Sequence, residues 1–399
     1  MMKTLRMFIK WAFYIFVLII LLVNLFIILS GRYYLYKGVA HTYLKGRTGP
    51  SIYDRDIFPY RTLQRSDNSF QWMEALNIPL GAEEKAFMQQ MESSSFLVFK
   101  GDRLIHESYW NGHDQETVSN SFSAAKTVVA LLIGVALQEG KIKSIDEPVS
   151  NYLERFKRGD RKKVSIRHLL MMASGLNWQE SGANPLSENA ESYYGSNLYS
   201  LSTRQKLINE PGKHFNYQSG NSQLLGFIVE EATGMNVSEY AQKNIWGKIG
   251  TEHDAFWSLD REDGHEKSFC CLYSTSRDFG RLGRLIKNRG NWNGEQLISK
   301  DFMDDMFTNP TLSTDEHIPN YRYGLHIWTY LGGDSPVYYC RGILGQYIIA
   351  IPEKDLVIVR TGMKRKDNIE KNTNMHKIGH PADLFTYIES AEKILAKSN

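Results

Sequence analysis

The chain has 399 residues, 42% of them hydrophobic and 23% charged, the proportions of a packed globular protein and not of a disordered one. A formal net charge of only +3, with no long Lys/Arg block interleaved with aromatics, excludes an electrostatic nucleic-acid binder. Three cysteines exclude a disulfide framework and a four-cysteine zinc site. Cys270 and Cys271, being adjacent, are expected not to bridge each other, which leaves Cys340 as a lone thiol in a domain that folds without disulfides.

Residues 11–29 form an almost unbroken apolar run with Asn24 as its only strongly polar member, long enough to cross a bilayer as a helix. Lys3, Arg6 and Lys10 precede it with no acidic residue nearby, so residues 1–10 are expected in the cytoplasm and everything after Arg32 on the outer side. A cleaved signal peptide is the competing reading. Its apolar core is ordinarily shorter and ends in small residues, whereas Ile27, Ile28 and Leu29 lead here into Ser30 and Gly31. A single-pass anchor is therefore expected, with Tyr33, Tyr34 and Tyr36 as an aromatic belt at the outer interface. Residues 1–47 hold seven basic and no acidic side chains, leaving 40 basic against 44 acidic, a net of −4, in the remainder. The basic balance belongs to the tether, and the domain is slightly acidic.

Residues 30–83 are irregular, broken by Gly46, Gly49, Pro50, Pro59 and Pro79, and read as a stalk that packs onto a domain spanning 84–399. Residues 95–100 and 103–109 are strand-like and joined by Gly101-Asp102, a hairpin signal. Next comes Ser123 at the head of a helix running to Glu139 and stopped by Gly140. The helix is apolar all round and hence buried. Ser123 and Lys126, at i and i+3, share one face of its first turn. Desolvation and the positive helix end both disfavour the charged lysine, which frees it to take a proton from the serine. Ser390 and Lys393 repeat the spacing late in an amphipathic helix with polar neighbours, where no such burial is expected.

From about 144 to 264 the pattern is helical with polar interruptions. Residues 166–172 form a short helix. Pro211-Gly212 turns the chain into Tyr217-Gln-Ser219, and another helix ends at Gly234. Residues 337–342, 346–351 and 355–360 are strand material, broken at Gly342-Ile-Leu-Gly345. No Gly-x-Ser-x-Gly elbow, His-Glu-x-x-His helix, paired-cysteine ligand spacing or nucleotide-binding glycine loop occurs, so neither a metal nor a cofactor is implied.

The ordered motifs are Ser-Phe-Ser-Ala-Ala-Lys at 121–126, Ile-Arg-His-Leu-Leu at 166–170, Tyr-Gln-Ser at 217–219, Thr-Ser-Arg-Asp at 275–278 and Gly-Ile-Leu-Gly-Gln at 342–346. With them the chain resembles the serine β-lactamase and penicillin-binding-protein superfamily, in its class C-like branch of amide hydrolases, carboxylesterases and peptidases. The resemblance implies that Ser123 is the acylated nucleophile, that Lys126 helps to deprotonate it and that Tyr217 is the partner acid/base. It also implies an oxyanion hole from the backbone N–H groups of Ser123 and Ile343.

The family's Tyr-x-Asn is Tyr-x-Ser here, which puts Ser219 at a substrate-binding position. Its Lys-Thr-Gly is Cys340-Arg341-Gly342, so the lysine that meets a β-lactam carboxylate is missing. Arg341 either receives a substrate carboxylate or turns outward, and Cys340 reads as a small wall residue. Gly342 permits close backbone approach to a ligand, or marks a β-bulge.

The fold implied is α/β, an antiparallel sheet of about five strands flanked by helices. A mostly helical lobe at about 146–264 is inserted, and one transmembrane helix precedes the whole. The expected protein is a membrane-anchored serine hydrolase acting outside the cytoplasm on a small-molecule or peptide amide or ester. The alternative is a penicillin-binding-like receptor that acylates without turnover. Tyr193, Tyr194 and Trp178 either line its pocket or pack the lobe.

Overall fold

The computed structural model describes residues 2–74 and 77–398. Its centre is a seven-stranded sheet in the order Trp328–Tyr330, Val337–Gly342, Gln346–Ile351, Leu356–Gly362, Ser93–Lys100, Arg103–Tyr109, Met73–Glu74. All neighbours are antiparallel except the last pair. The runs 346–351 and 356–362, rich in Ile and Val, are buried at every position, as continuous β-branched stretches are when both faces are covered. The helix Ser276–Lys287 packs on three of these strands and Ala382–Ser398 on two. A Cβ at Gly283 would meet Val357 Cγ1 at 2.5 Å, so glycine there lets the first of these helices lie directly on the sheet.

The lobe carries the helices Ile166–Leu170, Glu188–Tyr194, Leu198–Thr203, Ser219–Thr233 and Val237–Ala241. Ser165 caps the first in a reciprocal pair with His168, and Gly234, at φ 70°, ends the fourth. A second sheet, ordered Tyr60–Leu63, Ala255–Ser258, Leu272–Ser274, Ser119–Asn120, ties the lobe to residues 60–63 and 119–120. Between lobe and main sheet runs the helix Ala125–Gln138, buried from Ala125 to Ala136.

The helix Met2–Ser30 is long and apolar enough to cross a membrane, with a mean hydropathy of 3.1 over its most apolar 18 residues, a test of length and composition that an N-terminal signal sequence passes equally. The chain reverses at Gly31, φ 68°, into the helix Tyr34–His41. That helix is pinned from both sides. The Tyr36 hydroxyl donates back to Asn24 Oδ1 at 2.7 Å, and the Tyr34 hydroxyl to Pro185 O in the lobe at 3.0 Å.

Adjacency did not keep Cys270 and Cys271 apart: they form a disulfide between neighbouring residues, against the expectation of a chain without one. The reason is conformational. Cys271 takes a left-handed φ of 68°, which departs from the extended backbone that turns successive side chains to opposite faces. Cys340 is the free, buried cysteine.

Candidate active site

The short turn Phe122–Ala124 that leads into the helix Ala125–Gln138 carries Ser123. Phe122 is held at φ 46°, a left-handed conformation unfavourable for a bulky residue. Its amide donates to Asn120 Oδ1 at 2.8 Å, and Asn120 Nδ2 donates in turn to the Tyr273 hydroxyl at 3.0 Å. Ser121 N donates to Leu272 O at 2.9 Å. The turn is thus fastened to the second sheet and presents the Ser123 side chain to a cavity of about 370 Å³.

Lys126 lies beneath it, 1% exposed. Its Nζ donates to Ser123 Oγ at 3.0 Å and to Phe269 O at 2.8 Å. Burial, and secondarily the Arg341 charge, lower its pKa from the ordinary 10.5 to about 8, while the Glu180 carboxylate opposes the fall. Roughly a tenth of such lysines are neutral at pH 7, against about 0.03% of ordinary ones. The Lys126 Nζ lies 5.1 Å from the Tyr217 ring centroid. Burial and Glu180 hold the Tyr217 phenol well above the tyrosine range, and Ser123 and Arg341 act against them. This tyrosine therefore stays protonated at neutral pH and is a proton donor in its resting state.

Ser219 opens the helix Ser219–Thr233, and both its polar groups point at Glu180. Its amide donates to Oε2 at 2.7 Å and its hydroxyl to Oε1 at 2.6 Å, while Trp178 Nε1 donates to Oε2 at 2.9 Å. Glu180 is the residue that sequence reasoning missed, since no spacing joins it to Ser219, 39 positions away. Tyr193 and Tyr194 line the cavity, and Trp178 stands behind it holding Glu180.

At the strand edge Ile343 also lines the cavity. Gly342 brings it there, because a Cβ on Gly342 would lie 2.2 Å from Ser121 O. Only glycine lets the strand end lie this close to the Ser123 turn. The following turn is gripped by Arg360, which is fully buried. It donates to Leu344 O at 3.0 Å, Gly345 O at 2.7 Å and Lys364 O at 3.0 Å. Arg341 does not reach the cavity lining. Its guanidinium stacks 3.4 Å from the Trp328 ring centroid and donates to Gly379 O at 3.2 Å. Cys340 is wholly buried, and burial raises its thiol to about 12, far from the range of a nucleophilic cysteine.

A family model described as beta-lactamase matches residues 80–379. The chain belongs to the beta-lactamase family. Among curated relatives, 6-aminohexanoate-dimer hydrolase of Paenarthrobacter ureafaciens is 24% identical over 291 residues, covering 68% of this chain and 73% of that protein. Teichoic acid D-alanine hydrolase of Staphylococcus aureus (strain MRSA252) is 25% identical over 267 residues, 62% of each chain. A solved structure from Bacillus anthracis, described as a candidate 6-aminohexanoate-dimer hydrolase, superposes with a TM-score of 0.72 at 19% identity, covering 87% of this chain and 92% of that one. The chain is thus a hydrolase of the β-lactamase-like, penicillin-binding-protein-related superfamily.

Proposed function

We propose that the protein is a serine hydrolase that cleaves an amide or ester through an acyl-enzyme on Ser123, held at a membrane by its N-terminal helix. The observation that carries the reading is the 3.0 Å contact between Lys126 Nζ and Ser123 Oγ in a site where Lys126 is stripped of water. In the neutral form Lys126 accepts the Ser123 proton as Oγ bonds to the carbonyl carbon. The developing oxyanion is received by the backbone N–H groups of Ser123 and Ile343. Tyr217 gives its proton to the departing nitrogen or oxygen as that bond breaks, and regains one from the Lys126 ammonium. Water then attacks the acyl carbon with the same pair as base, releasing the acid and restoring Ser123. Gly342 sets the strand edge that presents Ile343, Ser219 orients Glu180, and Arg341 adds positive potential behind the site.

Supporting an amide or ester substrate are the names of the relatives, one hydrolysing the 6-aminohexanoate dimer and the other teichoic acid D-alanine. Supporting the anchor are the length of the apolar helix and the basic residues Lys3, Arg6 and Lys10 before it; in this reading residues 1–10 lie in the cytoplasm, 11–29 in the bilayer and 84–399 outside. Replacing Ser123 by Ala tests the chemistry: hydrolysis of nitrophenyl acetate and labelling by a fluorophosphonate are both expected to vanish. Retention of either would refute it.

A further inference from the structure

One wall of the cavity is built by the segment that leaves the membrane helix. Tyr34, Leu35, Val39 and Tyr43 line it together with Tyr194, against whose ring Gly38 packs, and the cavity also takes in Ser123. The height of this wall is set by the bond from the Tyr36 hydroxyl to Asn24. Asn24 lies six residues before the helix end at Ser30, about 9 Å down its axis. The wall therefore stands beside the last turns of the apolar helix, which with the anchor proposed above sets it at the level of the bilayer surface.

Two further observations bear on what fills the cavity. Of its lining Tyr43 is 66% exposed, and next to the lining residues Tyr43 and Pro185 in the chain Leu44 is 78% and Leu186 41% exposed, costly in water but favourable against a lipid surface. Among the described residues, Glu180 is the one charged side chain lining the cavity, and its carboxylate already accepts from Ser219 and Trp178. No charged side chain of the described lining is left free to hold an ionic group of a substrate, whereas its aromatic and aliphatic side chains suit hydrocarbon.

We infer that the substrate is an amphiphile, an ester or amide whose hydrocarbon chain lies along the wall made by residues 34–43 and enters from the outer leaflet, with its carbonyl at Ser123. The inference rests on the Ser123 chemistry and the membrane anchor proposed above. In the chemical step the Ser123 Oγ–acyl bond forms and the ester C–O or amide C–N bond breaks. The leaving group takes the Tyr217 proton, and water later releases the acid.

The test uses the full-length protein in mixed detergent–phospholipid micelles with two ester series of two to sixteen carbons, one with the chain in the acid (nitrophenyl esters) and one with it in the alcohol (alkyl acetates). kcat/KM is expected to rise at least tenfold from two to twelve carbons in one series, and Val39→Glu to lower that twelve-to-two ratio at least tenfold. Values flat or falling with length in both series overturn the inference, as does a ratio untouched by Val39→Glu in a variant that keeps its thermal transition. If nitrophenyl acetate is hydrolysed and Ser123 is labelled by a fluorophosphonate while both series stay flat, only the amphiphile is refuted. If neither occurs, the chemistry beneath it falls as well.

Discussion

Replacing Glu180 by Gln removes a negative charge that opposes the depression of the Lys126 pKa. The sign follows from which form the charge favours. A carboxylate stabilises the Lys126 ammonium, so its loss lowers the pKa below about 8 and populates the neutral base at lower pH. For a downward shift of about one unit, the neutral fraction at pH 6.5 rises from about 3% to about 24%, roughly eightfold. The glutamine amide also leaves one of the three donors around Glu180 without an acceptor, so the plateau rate falls. The position of the limb, not its height, is therefore the readout. The assay is kcat/KM for nitrophenyl acetate between pH 5 and 9, in the wild type, Glu180→Gln and Ser219→Ala. The wild-type limb should rise to a plateau with a midpoint near 8, the Glu180→Gln limb should move to lower pH, and Ser219→Ala, which removes a hydrogen bond but no charge, should leave the midpoint in place. A Glu180→Gln limb that stays put or moves upward would refute the assignment of Lys126 as the titrating base.

Tyr217→Phe removes the proton donor without emptying the space its ring fills and should slow acylation about 10²- to 10⁴-fold by stopped flow, while Ser219→Ala costs far less. Gly342→Ala drives a methyl to within 2.2 Å of Ser121 O; it should lower the melting temperature and slow acylation together, because the same displacement moves the Ile343 amide. Arg360→Met leaves the carbonyls of Leu344, Gly345 and Lys364 without their buried donor, an expected loss of about 3 kcal/mol or more by denaturant unfolding. With the Cys270–Cys271 bond intact, alkylation of the denatured, unreduced protein should modify Cys340 alone, and the peptide containing 270 and 271 should gain about 2 Da on reduction.

The reach of the sequence can be measured on individual residues. Ser123 and Lys126 were legible because a spacing of three on a helix fixes a contact, found at 3.0 Å, and because the apolar helix behind them announced burial of the lysine. The strands 346–351 and 356–362 were legible as β-branched runs. The outer elements of the sheets were not: Met73–Glu74, Ser119–Asn120 and Trp328–Tyr330 have two or three residues, too short for any periodicity to register. Glu180 was hidden for a different reason. It sits in a loop and owes its place to tertiary contacts with Ser219 and Trp178, and the local sequence around a loop glutamate carries no trace of such partners. Hydropathy likewise revealed the apolar N-terminal helix, but not that the chain doubles back at Gly31 to wall the cavity, since that depends on single bonds such as Tyr34 to Pro185.

The central claim is that catalysis passes through a covalent bond to Ser123. Rapid-quench mass spectrometry of the full-length protein mixed with nitrophenyl acetate tests it directly. The account predicts an adduct of one acetyl mass, mapped to the peptide containing Ser123, that forms within the nitrophenol burst and decays at the steady-state turnover rate. An adduct on another residue, turnover without any adduct, or an adduct on Ser123 that persists while no acid is released would contradict it.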